Sequence, residues 1–137
     1  MMGSFSIAGA HMIDHVSISS RNPSQSVPFY KRCFAPLGYS VQMEDAQQVI
    51  WGKDGHWSFA LYPAQGEAPL VGQRVHFAIA APSEQAAQGF YEEAVAQGAE
   101  SLRAPGPRPD INERYYGTMI RDLDGHTIEV VYWRPAA

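Results

Sequence analysis

The chain repeats itself. Asp54-Gly55-His56-Trp57-Ser58-Phe59 and Asp124-Gly125-His126-Thr127-Ile128-Glu129 open on the same tripeptide, and each leads into an apolar run. Aligning His15 with His76 lays D-H-V-S-I-S (14–19) over V-H-F-A-I-A (75–80), two short strand-like runs with β-branched and aromatic content. Phe-Tyr then follows in register, as Phe29-Tyr30 and Phe90-Tyr91. Three landmarks in one order make a duplication, and an internal repeat constrains a fold more than any composition does.

Each half reads as strand, helix, three strands. In the second, Ser83 is placed to cap a helix whose Ala87, Phe90, Tyr91, Ala94 and Val95 fall at helical spacing. In the first, Asn22-Pro23 suits a helix start, while Pro28 lies deep for a single helix and suggests a later or irregular one. Gly38 and Gly98 stand where helices commonly terminate. Asp54-Gly55 and Asp124-Gly125 are hairpin chemistry, because glycine accepts the positive φ such turns need. The second half is longer by nine residues between its histidine and Asp-Gly-His, most easily placed in a loop from Arg103 to Arg114. The expected organisation is one α+β domain over residues 12–137, with modules at about 12–63 and 73–134 joined by a linker at 64–72. Residues 1–11, with His11-Met12 resembling a cloning junction, read as a tag remnant or disordered tail outside the fold.

With 137 residues, 45% hydrophobic and 18% charged, the chain is of ordinary globular size and composition. A net charge of −4 with ten scattered Lys and Arg leaves no phosphate-neutralising surface, so no nucleic-acid partner is expected. No apolar run approaches a membrane span. The lone cysteine, Cys33, forms no internal disulfide and fits a reducing, cytoplasmic setting.

The chemistry is expected at the repeat's matched positions. Should the first strands of the two halves pair, His15 and His76 become symmetry-equivalent, with the small residues Ser17 and Ala78 sharing their faces. Glu129 lies inside the apolar run Ile128–Trp133, where an unpaired carboxylate costs several kcal/mol. Counting from Asp-Gly-His, its counterpart is Phe59, flanked by Trp57 and Leu61. A lone strand histidine is ordinarily a satisfied core residue. Two imidazoles and a carboxylate at symmetric positions instead make a three-ligand set for Fe(II), Mn, Ni, Co or Zn with open coordination positions. A metal so held can chelate two adjacent oxygens of a substrate and stabilise an anion formed on it. His56, beside Trp57, and Tyr115 or Tyr116, at the mouth of the site, are the candidates for proton transfer. Cys33 has no basic partner in sequence and reads as packing.

The sequence resembles the vicinal oxygen chelate superfamily, which includes glyoxalase I, extradiol dioxygenases, and fosfomycin and bleomycin resistance proteins. The likeness rests on M-I-D-H-V-S-I (12–18), F-Y (29–30), L-G-Y (37–39), H-F-A-I (76–79) and R-D-L-D-G-H-T-I-E (121–129). It implies two βαβββ modules forming an open eight-stranded bowl around a divalent metal, a small-molecule substrate, and a homodimer. It leaves open whether the modules pair within one chain or across two. Glyoxalase I draws a fourth ligand from the first module's closing strand, where Phe59 stands, which disfavours that activity. Extradiol dioxygenases use the His, His, Glu set and carry a tyrosine near Met119. Fosfomycin-type enzymes place a hydroxyl at the position of Ser17. Ser17, Trp57, Phe59 and Met119 are therefore expected to line the substrate site. The expected function is a metal-dependent lyase or dioxygenase-like enzyme; the alternative is a non-catalytic binding or antibiotic resistance protein of the bleomycin or fosfomycin type.

Overall fold

The computed structural model describes residues 12–136; the reading of residues 1–11 falls outside them. The elements run β1 (Val16–Ser20), α1 (Pro23–Phe34), a 3₁₀ turn (Ala35–Leu37), β2 (Ser40–Glu44), β3 (Val49–Lys53) and β4 (His56–Pro63). The second half repeats them as β5 (His76–Ala80), α2 (Glu84–Ala96), β6 (Glu100–Pro107), β7 (Tyr115–Arg121) and β8 (Thr127–Trp133). The expected α+β fold of two βαβββ units is present.

Each half closes its own four-stranded mixed sheet, ordered β1-β4-β3-β2 and β5-β8-β7-β6. The first strand lies parallel to the last strand of its own half in both cases. Among the described residues the first strands of the two halves do not pair with each other. The helices instead join the halves. Phe29, Tyr30, Cys33 and Phe34 on α1 and Ala86, Ala87, Phe90 and Ala94 on α2 enter one continuous core with Ile18, Trp51, Phe59, Ile120, Ile128 and Val130. Inward residues alternate with outward ones along each strand, so every sheet has a helix-covered face and an open face.

Local chemistry explains the boundaries. The Ser83 hydroxyl accepts a hydrogen bond from the Ala86 amide at 3.0 Å and caps α2. Gly38 and Gly98 take positive φ just beyond the two helical segments, as expected. The first helix begins at Pro23, where Asn22-Pro23 suits a start, and it continues through Pro28 instead of starting later. Pro28 removes only the bond to the carbonyl of Ser24, an exposed residue whose oxygen water can satisfy. The extra residues of the second half also depart from expectation. Arg103 belongs to β6 rather than a loop, and the loop proper is 108–114. Pro105 and Pro107 are tolerated there because β6 is an edge strand.

The two Asp-Gly-His turns differ. Asp54 and Gly55 both have positive φ, and Lys53 pairs with His56 in a two-residue hairpin. In the second half the loop is longer: Arg121 pairs with Thr127, and Asp122 Oδ1 accepts from the amides of Asp124 and His126. This loop clasps the first half. Tyr30 donates to Asp122 Oδ2 at 2.5 Å, Ser26 to Asp124 Oδ2 at 3.0 Å, and the Arg21 amide to Asp124 Oδ1 at 3.0 Å. The His126 imidazole donates to the Ser19 carbonyl at 2.8 Å. His126 is buried, completing this clasp.

Candidate functional site

Glu129 is the centre of the polar cluster. On β8, Ile128 and Val130 turn to the helices, so Glu129 turns to the open face, opposite Ala78 on β5 and Met119 on β7. It is nonetheless only 9% exposed, and its oxygens are occupied. Tyr115 donates its hydroxyl to Oε2 at 2.6 Å, and His76 Nε2 lies 3.1 Å from Oε1. Arg103 Nη2 donates to the Tyr115 oxygen at 2.8 Å and stands 3.8 Å from Glu129 Oε2. Burial first, and then the Glu129 carboxylate, push the Tyr115 phenol above its ordinary range, so it stays protonated and donates.

The His76–Glu129 pair fits a divalent cation. Donors each about 2.1 Å from one ion stand about 3.0 Å apart at a right angle and about 3.4 Å apart at a tetrahedral one, which brackets the observed 3.1 Å. Imidazole and carboxylate together suit a borderline first-row metal. His15 does not join them: among the described residues, no three His, Cys, Asp or Glu side chains are placed to hold a metal. Its Nδ1 instead lies 3.0 Å from Asp14 Oδ2, and the pair is exposed. Asp14 is held below the usual carboxylate range by the His15 hydrogen bond, with His56 adding to it. His56 donates from Nε2 to the Asp14 carbonyl at 3.2 Å and is likewise exposed.

The other expected residues divide by face. Tyr116 turns to the helix layer, because alternation puts it opposite in sense to Tyr115. There it accepts a hydrogen bond from Gln88 at 2.7 Å, with the Arg134 guanidinium over its ring. Phe59 turns inward too, its ring 5.0 to 6.1 Å from those of Tyr30, Phe34 and Trp51. The sheet register explains why Phe59 does not match Glu129. Ser17 faces Ala60 in the first sheet, as Ala78 faces Glu129 in the second, so Ala60 holds the equivalent position. A bulge in the β3–β4 pairing, where Trp51 meets Phe59 but Gly52 meets Trp57, adds the residue that shifts the count. Ser17 and Trp57 are exposed, and Met119 is partly buried beside Glu129. Sequence reading assigned Arg103 to a loop and missed its place at Glu129; the β6–β7 pairing that brings it there, reinforced by the Thr118 hydroxyl donating to the Arg103 carbonyl at 2.7 Å, leaves no local signal in the sequence.

The cluster lies on an open sheet face. Two cavities, of about 240 and 370 Å³, lie elsewhere: one between β1, the linker and the start of β8, the other beside α1 and the β2–β3 turn. No helix among the described residues is long and apolar enough to cross a membrane.

Residues 12–130 match the model of the Glyoxalase/Bleomycin resistance protein/Dioxygenase superfamily. The fold is similar to a glyoxalase/bleomycin resistance protein from Albidiferax ferrireducens T118, at a TM-score of 0.79 and 21% identity over 89% of this chain and 99% of that one. It is also similar to a glyoxalase-related enzyme from Fulvimarina pelagi, at a TM-score of 0.66 and 19% identity over 89% and 88% of the respective chains. The E144Q mutant of glyoxalase I from Zea mays matches at a TM-score of 0.68 and 16% identity, over 90% of this chain and 46% of that one. No curated protein sequence matches the chain.

Proposed function

The chain belongs to the Glyoxalase/Bleomycin resistance protein/Dioxygenase superfamily, and on that premise we propose that it is a divalent-metal-dependent enzyme acting on a small molecule with two adjacent oxygens. The observation that carries this reading is the His76–Glu129 pair, 3.1 Å apart on an open strand face. In this reading His76 and Glu129 hold Fe, Mn, Ni, Co or Zn, and His15 completes the set from the second copy of a homodimer. The exposure of His15 supports that arrangement, as do the exposed Trp57, Tyr62, Val75 and Trp133, apolar surface of a kind that partners cover.

A bound divalent ion would act as a Lewis acid on the chelated oxygens. The chain's own groups then divide the remaining work. Met119, Val131 and Trp133 give the open face an apolar wall beside Glu129. Ser17 and Trp57 line the same substrate from the partner's first sheet. Tyr115 is spoken for by Glu129, which leaves His56, exposed on that first sheet, as the proton-transfer candidate. Lyase or dioxygenase-type chemistry suits such a site, and the free, buried Cys33 supports a cytoplasmic setting.

One observation favours a second reading, a metal-free binding or resistance protein: Glu129 already has protein partners on both oxygens. A screen of diols, catechols and α-keto compounds against metal-loaded protein and its Glu129→Ala variant separates the two. The enzyme reading expects ligand binding and turnover that the variant loses. Binding retained undiminished in the variant overturns it.

A further inference from the structure

Glu129 reaches the open face with its two oxygens divided between different partners. The Tyr115 hydroxyl takes Oε2 at 2.6 Å, and Arg103 Nη2 holds that hydroxyl from its other side at 2.8 Å. Oε1 alone is left toward His76. We propose that Tyr115 is a positioning residue: gripped by Arg103, it restrains Glu129 so that the carboxylate offers a metal one oxygen only, Oε1.

The surroundings of the tyrosine are built for this. Tyr115 begins β7, and Glu129 faces Met119, four residues further along that strand. The phenol must therefore lie down along the sheet to reach the carboxylate. Position 117, directly beneath it on the same face, is glycine. A Cβ there would come within 2.5 Å of the Tyr115 hydroxyl oxygen and 2.6 Å of the Val130 carbonyl, so the absence of a side chain makes the path. Trp133, paired with Tyr115 across the strands, braces the ring edge-on at 5.6 Å and 80°. The Arg103 guanidinium covers it at 5.3 Å from the ring centre. Four side-chain positions on three strands thus converge to fix one hydroxyl.

The geometry also removes Tyr115 from the list of bases. Its proton is used on Glu129, and its oxygen accepts from Arg103. What it controls is the orientation of a ligand. A carboxylate free to rotate can take an ion through both oxygens; one tethered at Oε2 binds through the other and keeps further coordination positions open for a chelating substrate. Groups that orient metal ligands in this way typically change metal affinity about 10- to 100-fold when removed.

This inference rests on the metal reading above, and the test keeps the two apart. Apo protein and its Tyr115→Phe variant are titrated with Co(II), reading both the dissociation constant and the visible absorption band, which reports coordination number. The expected result is Co(II) binding by the native protein and about 10- to 100-fold weaker binding by the variant, with an altered band. Equal affinity and an identical band overturn the positioning role and leave the metal reading standing. No Co(II) uptake by the native protein overturns both. Should the variant fail to fold, infrared difference spectra of native protein with labelled Glu decide the matter. A wide splitting of the carboxylate stretches on Co(II) binding is expected for single-oxygen ligation, and a narrow, two-oxygen splitting overturns the proposal.

Discussion

Ala60 and Glu129 hold the same place in the two sheets: Ala60 stands opposite Ser17 on β1, and Glu129 stands opposite Ala78 on β5. The duplicated scaffold thus presents one carboxylate and one methyl group at matched points on open faces. The difference in donor count between the halves lives at position 60, not 59. Phe59 belongs instead to the aromatic cluster under α1, where it is 3% exposed.

Two substitutions separate these positions. Phe59→Glu puts an unpaired carboxylate among Tyr30, Phe34 and Trp51, a change expected to cost more than about 4 kcal/mol and to leave the chain largely unfolded. Ala60→Glu places the charge on the open face and is expected to fold with a loss of about 1–3 kcal/mol from crowding. Urea unfolding of the two variants reads the difference. Comparable losses at both positions would contradict the register.

Alkaline pH should loosen the clasp between the halves. Burial first, then Asp122, raises the Tyr30 phenol well above its ordinary value, and burial pushes the Cys33 thiol from 9.0 up to about 12. Both groups are neutral in the fold and ionise more readily in the unfolded chain. Their contribution is therefore fully present below about pH 9 and is lost as pH rises through 9 toward 12. The expected outcome is a melting temperature that falls steadily above pH 9. Tyr30→Phe should lower stability at pH 7 by about 1.5–3 kcal/mol, through the lost charge-assisted bond to Asp122. It should also flatten the alkaline decline, and a decline parallel to that of the native chain would show that Tyr30 does not drive it.

Much of this was legible in the residues. The repeat of His, Phe-Tyr and Asp-Gly-His carried the two-module α+β architecture, because strands, helix faces and hairpin glycines are local signals. Superposing the halves by counting failed where pairing adds a residue: the β3–β4 bulge moved Phe59 off the position of Glu129. Tyr115 and Tyr116 were indistinguishable as neighbours in sequence, and only the strand's phase sent one to Glu129 and the other to Gln88. The roles of Arg103 and Asp122 depend on partners 26 and 92 residues away, and no local pattern encodes those contacts. His15 marks the same boundary. Its equivalence to His76 was readable, whereas its separation from the His76–Glu129 pair follows from how the halves pack.

The measurement that bears most directly on the shared metal centre is bound metal per chain, by elemental analysis, after reconstitution of the native protein, of His15→Ala and Glu129→Ala alone, and of the two variants refolded together. A site built from His15 of one chain with His76 and Glu129 of the other predicts about one ion per chain for the native protein and none for either variant. Random twofold pairing of the two variants then restores one intact site in each mixed dimer, about a quarter of the native content. Stoichiometric metal retained by Glu129→Ala, or a native protein that takes up none, would contradict the account.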